Sequence, residues 1–248
     1  MSSMQVVSTT TTAATAAVFA TARGSPPPLE GVDAVTTNPV TLIQRWIEEA
    51  RSRGEREPES FSLATCHTNT GVPTVRPMLL KRSDADTATF TFATNGDTEK
   101  AHARTAAMCF HWKSLARMAR VEGPLTRRSI DAPIVHELWS ARSRASKIAS
   151  WASPQSRVAL GGRDTVIEAI RAAEAKFNDV SSDSIPPPPH FGVFDVAADR
   201  IEFWTSLRAD GFHSDPGDKD RIGERVAFLR SPTADATKAT WASEYLFP

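Results

Sequence analysis

The chain has 248 residues, 40% of them hydrophobic, and 29 basic side chains balance 29 acidic ones to a formal net charge of zero. That is enough apolar material for a substantial core, and the balance argues against a nucleic-acid binder or a polybasic membrane-surface protein, either of which would show a basic excess or run. No apolar stretch approaches the roughly 20 residues that cross a bilayer as a helix, so a soluble, cytoplasmic protein is expected.

Residues 1–36 are rich in Ser, Thr and Ala, carry Pro26-Pro27-Pro28 and have no sustained period. They read as a disordered tail, with an organellar targeting segment as the rival, and the folded domain is placed at 37–248. It begins with a helix from about Asn38 to Arg53: Asn38 caps it, Pro39 suits the first helical position, and Leu42, Ile43, Trp46, Ile47 and Ala50 share one face before Gly54 stops it. Phe61 to His67 alternates as a strand, Thr68 to Gly71 turns, and Val75 to Lys100 forms a hairpin around a turn at Asp84 to Thr87. A short helix capped by Asp97 follows, then strands at Ala107 to Trp112 and Met118 to Leu125. The second of these alternates Arg120 and Glu122, so one of its faces is wet or ligand-lined. Helices are expected over Ser129 to Ala141, Ala145 to Trp151 and Asp164 to Phe177, the last with Val166, Ile167, Ile170, Ala173 and Phe177 along one side. Strands return at Phe191 to Val196, Arg200 to Thr205, Arg225 to Arg230 and Thr240 to Leu246. Strands, then helices, then strands predict a mainly β, α+β fold: an antiparallel barrel decorated by helices.

The residues that bear chemistry are mostly cations and hydroxyls. Arg76, Lys81 and Lys100 belong to the hairpin; Arg142, Arg144 and Ser146 lie at a junction between helices; Gln155 and Ser156 sit in a loop; Arg221 and Arg225 lie four apart. Most such charges are simply solvated, but Arg76 and Lys81 flank the apolar run Pro77-Met78-Leu79-Leu80, and a buried cation calls for an anion such as phosphate. Nucleophile motifs are absent, the six histidines do not cluster as zinc ligands, and Cys66 and Cys109 read as buried strand thiols. Trp204 is either a core aromatic or a platform for a planar cofactor. The set favours a phosphate-bearing ligand that does its own chemistry.

In this order the motifs resemble the pyridoxamine/pyridoxine 5′-phosphate oxidase family. They are Arg-Pro-Met-Leu-Leu-Lys (76 to 81), Phe-Ala-Thr-Asn with Lys-Ala-His (92 to 95, 100 to 102), Ser-Arg-Ala-Ser-Lys-Ile-Ala-Ser-Trp (143 to 151) and Ser-Pro-Gln-Ser (153 to 156). Pro-Pro-Pro-Pro-His-Phe-Gly (186 to 192), Ile-Glu-Phe-Trp (201 to 204), Arg-Ile-Gly-Glu-Arg (221 to 225) and a terminal Leu-Phe-Pro complete the series. The resemblance implies an FMN-binding split barrel acting as a homodimer, hydride transfer from a small phosphorylated or planar heteroaromatic substrate to the flavin, and reoxidation by O2 to hydrogen peroxide. It implies that Arg76, Pro77, Met78, Leu79, Leu80, Lys81, Thr94, Lys100, Gln155, Ser156, Trp204 and Arg225 contact FMN. It further implies that Lys81, Arg142 and Ser146 hold a substrate phosphate, and that Arg221 faces the substrate ring at the catalytic centre.

Four positions depart from the family's pattern. Glu99 stands where an Arg flanks the phosphate-binding Lys, Met118 where a Gln meets the flavin, Leu138 where a Tyr grips phosphate, and Gly223 where a His accompanies the ring-facing Arg. An insertion, Leu207 to Asp220, precedes Arg221. On charge alone Glu99 should repel a phosphate, and Glu99→Arg should tighten FMN. Alternatives therefore stay open: an FMN oxidase of another reduced substrate, such as a dihydrophenazine-like ring, or a non-catalytic flavin- or pyridoxal-phosphate-binding paralogue.

Overall fold

The computed structural model describes residues 37–206, 223–232 and 237–247. The tail 1–36, the insertion 207–220 and Arg221 lie outside the described residues. The elements in chain order are α1 (Pro39–Ser52), β1 (Ser60–Cys66), β2 (Pro73–Asp84), β3 (Thr89–Asn95), β4 (Thr105–Trp112), β5 (Arg117–Arg127), α2 (Pro133–Ser140), α3 (Arg144–Ala152) and α4 (Gly162–Lys176), followed by β6 (Phe191–Ala197), β7 (Arg200–Ser206), β8 (Gly223–Ser231) and β9 (Thr240–Leu246).

Every strand pairing is antiparallel. Six strands close a ring in the order β1-β2-β3-β6-β5-β4, and β7, β8 and β9 extend it from β5. The fold is thus the mainly β, antiparallel split barrel expected from the sequence. Closure depends on β5 serving two neighbours along one edge: Arg117 to Glu122 pair with β7, and Leu125 to Arg127 pair with β6. Gly123 sits at the changeover, where a Cβ would stand 1.9 Å from the Ala197 carbonyl oxygen, so only glycine lets the end of β6 come this close.

Alternation sorts each wall strand. Phe61, Leu63 and Thr65 of β1 point inward, as do Met108, Phe110 and Trp112 of β4 and Ala119 and Val121 of β5. Helix α1 packs on this core through Leu42, Ile43, Trp46, Ile47 and Ala50. Its start is fixed by Asn38, whose side chain accepts from Val40 N (2.9 Å) and Thr41 N (3.3 Å). Trp46 meets Trp112 and Phe203 edge-on, contacts that add about 0.5–1.5 kcal/mol each beyond burial.

β6 is buried on both faces because α2, α3 and α4 cover its outer side, where Phe191 and Val193 join Val135, Trp139, Ile148 and Phe177 in a second apolar cluster. The segment after α4 is held by side-chain donors: Arg144 to the Phe177 and Val180 carbonyls (both 2.6 Å), the fully buried Lys147 to Ser182 O (3.0 Å), Trp139 to Ile185 O (2.6 Å) and Trp151 to Pro186 O (2.8 Å).

Three local expectations are corrected. Cys66 is exposed rather than buried, because it closes β1 on the outward side of the alternation, and Cys109 is only half-buried. Asp97 caps nothing: its own N–H is taken by Asn95 Oδ1 (2.8 Å), and a single 3-10 turn, Glu99–His102, starts after Thr98. On α4 only Ala173 is buried, with Phe177 just beyond it, while Val166 and Ile170 face outward, since the helix packs chiefly against α3.

Candidate functional site

The hairpin cations separate by environment. Arg76 lies opposite Leu63 on the inward face of β2 and donates to Thr65 Oγ1 (2.8 Å), to Leu63 O (3.2 Å) and to Thr74 Oγ1. Burial lowers its guanidinium below the usual arginine range. Lys100 approaches from the 3-10 turn and donates to Thr98 Oγ1 (2.8 Å) and Gln155 Oε1 (2.9 Å). Burial, and then the Arg76 charge, push its ammonium down. Neither cation forms an ion pair among the described residues. Two like charges thus share a half-buried corner floored by hydroxyls and a carboxamide, an arrangement that an anion would stabilise.

The loop bearing Gln155 is fastened to the end of β3 through Asn95 Nδ2, which donates to Ser153 O (3.3 Å). Ser156 follows with a left-handed backbone, φ 69°, and is exposed. Thr94 lies opposite Gly192 near the same end of β3. Asn95, from the Phe-Ala-Thr-Asn motif, and Thr98 also belong to this corner, and the Thr-x-Lys spacing of 98 to 100 is the sequence signal for the second.

Glu99 does not face the corner. Its carboxylate accepts from Thr68 N (3.0 Å) and lies 3.5 Å from His67 Nδ1, so it is moored to the β1–β2 turn. The Thr68 N–H holds its carboxyl below the usual range. The expected repulsion of a phosphate is therefore corrected: the carboxylate is turned onto the β1–β2 turn and hydrogen-bonded there.

Lys81 is the extra residue of a β-bulge, between Leu80 paired with Phe92 and Arg82 paired with Thr91. It is exposed and lines a groove of about 490 Å3 against α1, with Gln44, Arg45 and Arg51. Of the neighbouring run, Leu80 is buried, Met78 packs partly on the core, Leu79 is half-buried and Pro77 is exposed. Among the described residues no hydrogen bond or ion pair joins Lys81 to Arg142 or Ser146.

Arg142 and Ser146 are together. Arg142 Nη2 donates to Ser146 O (3.1 Å) and Ser150 Oγ (3.0 Å), and the guanidinium lies over Trp139 and Phe191. Its Nε is buried without a hydrogen-bond partner, and burial lowers its pKa. Ser143 caps α3 through Ser146 N (3.3 Å), so an orphaned N–H and a helix start share one place.

A third group occupies the outward face of β5, β7 and β8. Met118, Trp204 and Arg225 stand in one cross-strand row, with Arg120 opposite Glu202 in the next. Glu202, 1% exposed, pairs with Arg120 (2.9 Å), Arg200 (3.1 Å) and Arg225. Burial alone would push its carboxyl up; hydrogen bonds from Arg225 and Arg200 and the Arg120 charge more than reverse this and hold it below the usual range. Glu202 has no role in the family resemblance, and its clue in the sequence is a carboxylate two residues before Trp204 in the otherwise apolar run Ile-Glu-Phe-Trp.

The ring order sets these groups apart. β2 lies across the barrel from β5, and β7 and β8 lie beyond β5, so Arg76 and Lys81 belong to one side and Trp204 and Arg225 to the other. Among the described residues no His, Cys, Asp and Glu cluster is placed to hold a metal ion, and no helix is long and apolar enough to cross a membrane.

Comparison with known proteins names the architecture. The family model described as pyridoxamine 5′-phosphate oxidase matches residues 47–205. The chain belongs to this family. It is 35% identical over 217 residues to the pyridoxine/pyridoxamine 5′-phosphate oxidase of Erythrobacter litoralis, covering 86% of this chain and 92% of that one. It is 36% identical to the corresponding enzyme of Brucella ovis over 86% and 93%. Among solved structures, PhzG of Burkholderia lata, in complex with tetrahydrophenazine-1-carboxylic acid, has a similar fold, with a TM-score of 0.68, 22% identity and coverage of 85% and 93%. A pyridoxamine 5′-phosphate oxidase-related, FMN-binding protein of Nostoc punctiforme gives 0.60, 20%, 84% and 96%.

Proposed function

We propose that the protein is an FMN-dependent oxidase of the pyridoxamine-phosphate-oxidase type, working as a homodimer. The observation that carries this reading is the corner of Arg76 and Lys100: two half-buried cations with no carboxylate partner among the described residues, in a member of this family. A flavin phosphate fits that corner, where Thr98 and Gln155 orient the Lys100 ammonium toward it. Bound FMN would supply the two-electron acceptor, with O2 as its oxidant. Residues 76–81, Thr94 and Ser156 would line the cofactor on the β2 side, and Trp204 and Arg225 of a second copy would complete it. Arg142, with its free Nε, and the start of α3 at Ser146 would hold a substrate phosphate, helped by Lys81. Arg221 would face the substrate ring.

A second reading, oxidation of another reduced planar ring, is favoured by one observation: the indole of Trp204 fills the space over Gly223, where the resemblance expects an imidazole. The visible spectrum and peroxide release separate the readings. The purified protein, or protein reconstituted with FMN, should show flavin absorbance near one per chain and release peroxide with pyridoxine or pyridoxamine phosphate. Peroxide only with a dihydrophenazine would favour the second reading, and protein that stays colourless would overturn both.

A further inference from the structure

On β8, Gly223 lies opposite Ser206 of β7, two residues from the Trp204–Arg225 pair. A Cβ built on it would stand 2.3 Å from Trp204 Nε1, 2.5 Å from Trp204 Cε2 and 2.8 Å from the Thr205 carbonyl oxygen. Ordinary carbon contacts begin near 3.5 Å, so this indole and any side chain at 223 exclude one another. Backbone conformation does not explain the glycine, because the glycines with left-handed φ are Gly54, Gly71 and Gly162. What it supplies is room. Gly223 itself is buried, beneath a half-exposed ring that lies beside Met118 and Arg225. Trp204 also cannot turn inward, since alternation sets it on the outward face and the adjacent inward pair, Phe203 opposite Val226, is buried in the core.

We infer that Gly223 is a positioning residue: by carrying no side chain it lets the Trp204 indole settle across β8, and it sets the pose of the aromatic wall that meets the flavin. It acts only through Trp204. The inference rests on the proposed flavin role of Trp204, and it adds the reason the departure at 223 is compatible with that role: the volume of the missing side chain has been taken over by the indole. An imidazole placed at 223 would have to displace the Trp204 indole from this pose.

The test is a double-mutant cycle of Gly223→Ala and Trp204→Ala, read by urea unfolding and by FMN titration. Gly223→Ala should lower the folding equilibrium constant by about tenfold, a size typical of coupled neighbours, and most of that loss should vanish in the Trp204→Ala background. Each single variant should weaken FMN, and the double variant should bind no more weakly than Trp204→Ala. If Gly223→Ala costs as much without the indole as with it, the Thr205 carbonyl is the obstacle and the inference is overturned; effects on FMN that multiply overturn it too. Should Gly223→Ala alone fail to fold, the double variant decides: folding supports the inference, failure refutes it. A parent protein that binds no FMN removes the functional reading and the flavin role with it, while the stability cycle still reports whether Gly223 positions Trp204.

Discussion

A glutamate one residue before the corner lysine would, by charge alone, oppose a phosphate bound there. Glu99 does not, because the Thr68 N–H and His67 draw its carboxylate onto the β1–β2 turn. Sequence gives the charge at a position but not its direction, and in a 3-10 turn, at roughly 120° per residue, Glu99 and Lys100 leave the backbone on different sides. The same limit explains why Arg142 was legible as a cation at a helix junction while its orphaned Nε was not, since that depends on Ser146, Ser150, Trp139 and Phe191 meeting from three elements. Glu99→Gln keeps an acceptor for Thr68 N and removes the charge, so FMN affinity should stay within about twofold, as for an uncoupled surface change. An isothermal FMN titration checks this. Tightening by tenfold would show that the carboxylate reaches the phosphate after all.

Strands were the most legible elements because a two-residue period survives in sequence wherever one face is buried. β1, β4 and β5 follow their alternation closely, whereas α4 shows the reverse: its apolar stripe predicts a core, yet Val166 and Ile170 remain outward. On β7 alternation places Glu202 and Trp204 outward together, and three arginines from β5, β7 and β8 converge on that carboxylate. Its pKa in the folded chain is depressed below the ordinary 4.5. A depressed carboxyl contributes stability that is complete above the unfolded value and is lost as pH falls through the folded one. Parent protein should therefore lose stability on acidification below that ordinary value. Glu202→Gln should be less stable at neutral pH by roughly 3 kcal/mol, because the buried carboxylate that three guanidinium groups share is removed and leaves Arg120 only Glu122 and Arg200 only Glu244 among the described residues, and its acid loss should be shallower. Urea midpoints from pH 7 to pH 3 measure both; equal slopes for the two proteins would count against the cluster as the acid-sensitive element.

At the scale of the whole molecule, β2 and β5 lie across a closed six-strand ring from each other. The proposed cofactor contacts fall on both sides of that ring, Lys100 with the β2 side and Trp204 with the β7 extension, so on this proposal one copy alone does not bring them to one flavin. A two-fold dimer can, because each copy then offers its β2 side to one site and its β7 side to the other. This makes a complementation experiment decisive. Lys100→Ala and Trp204→Ala should each weaken FMN in both sites of their own dimers. Unfolded together and refolded at equal concentrations, they should form mixed dimers in which one site collects both lesions and the other collects neither, restoring parent affinity to about a quarter of all sites. A titration of the mixture would then show a tight phase absent from either variant alone. If mixed dimers form, as judged by a size-tagged partner, and no tight phase appears, both side chains serve the same chain's site, and the shared arrangement is refuted.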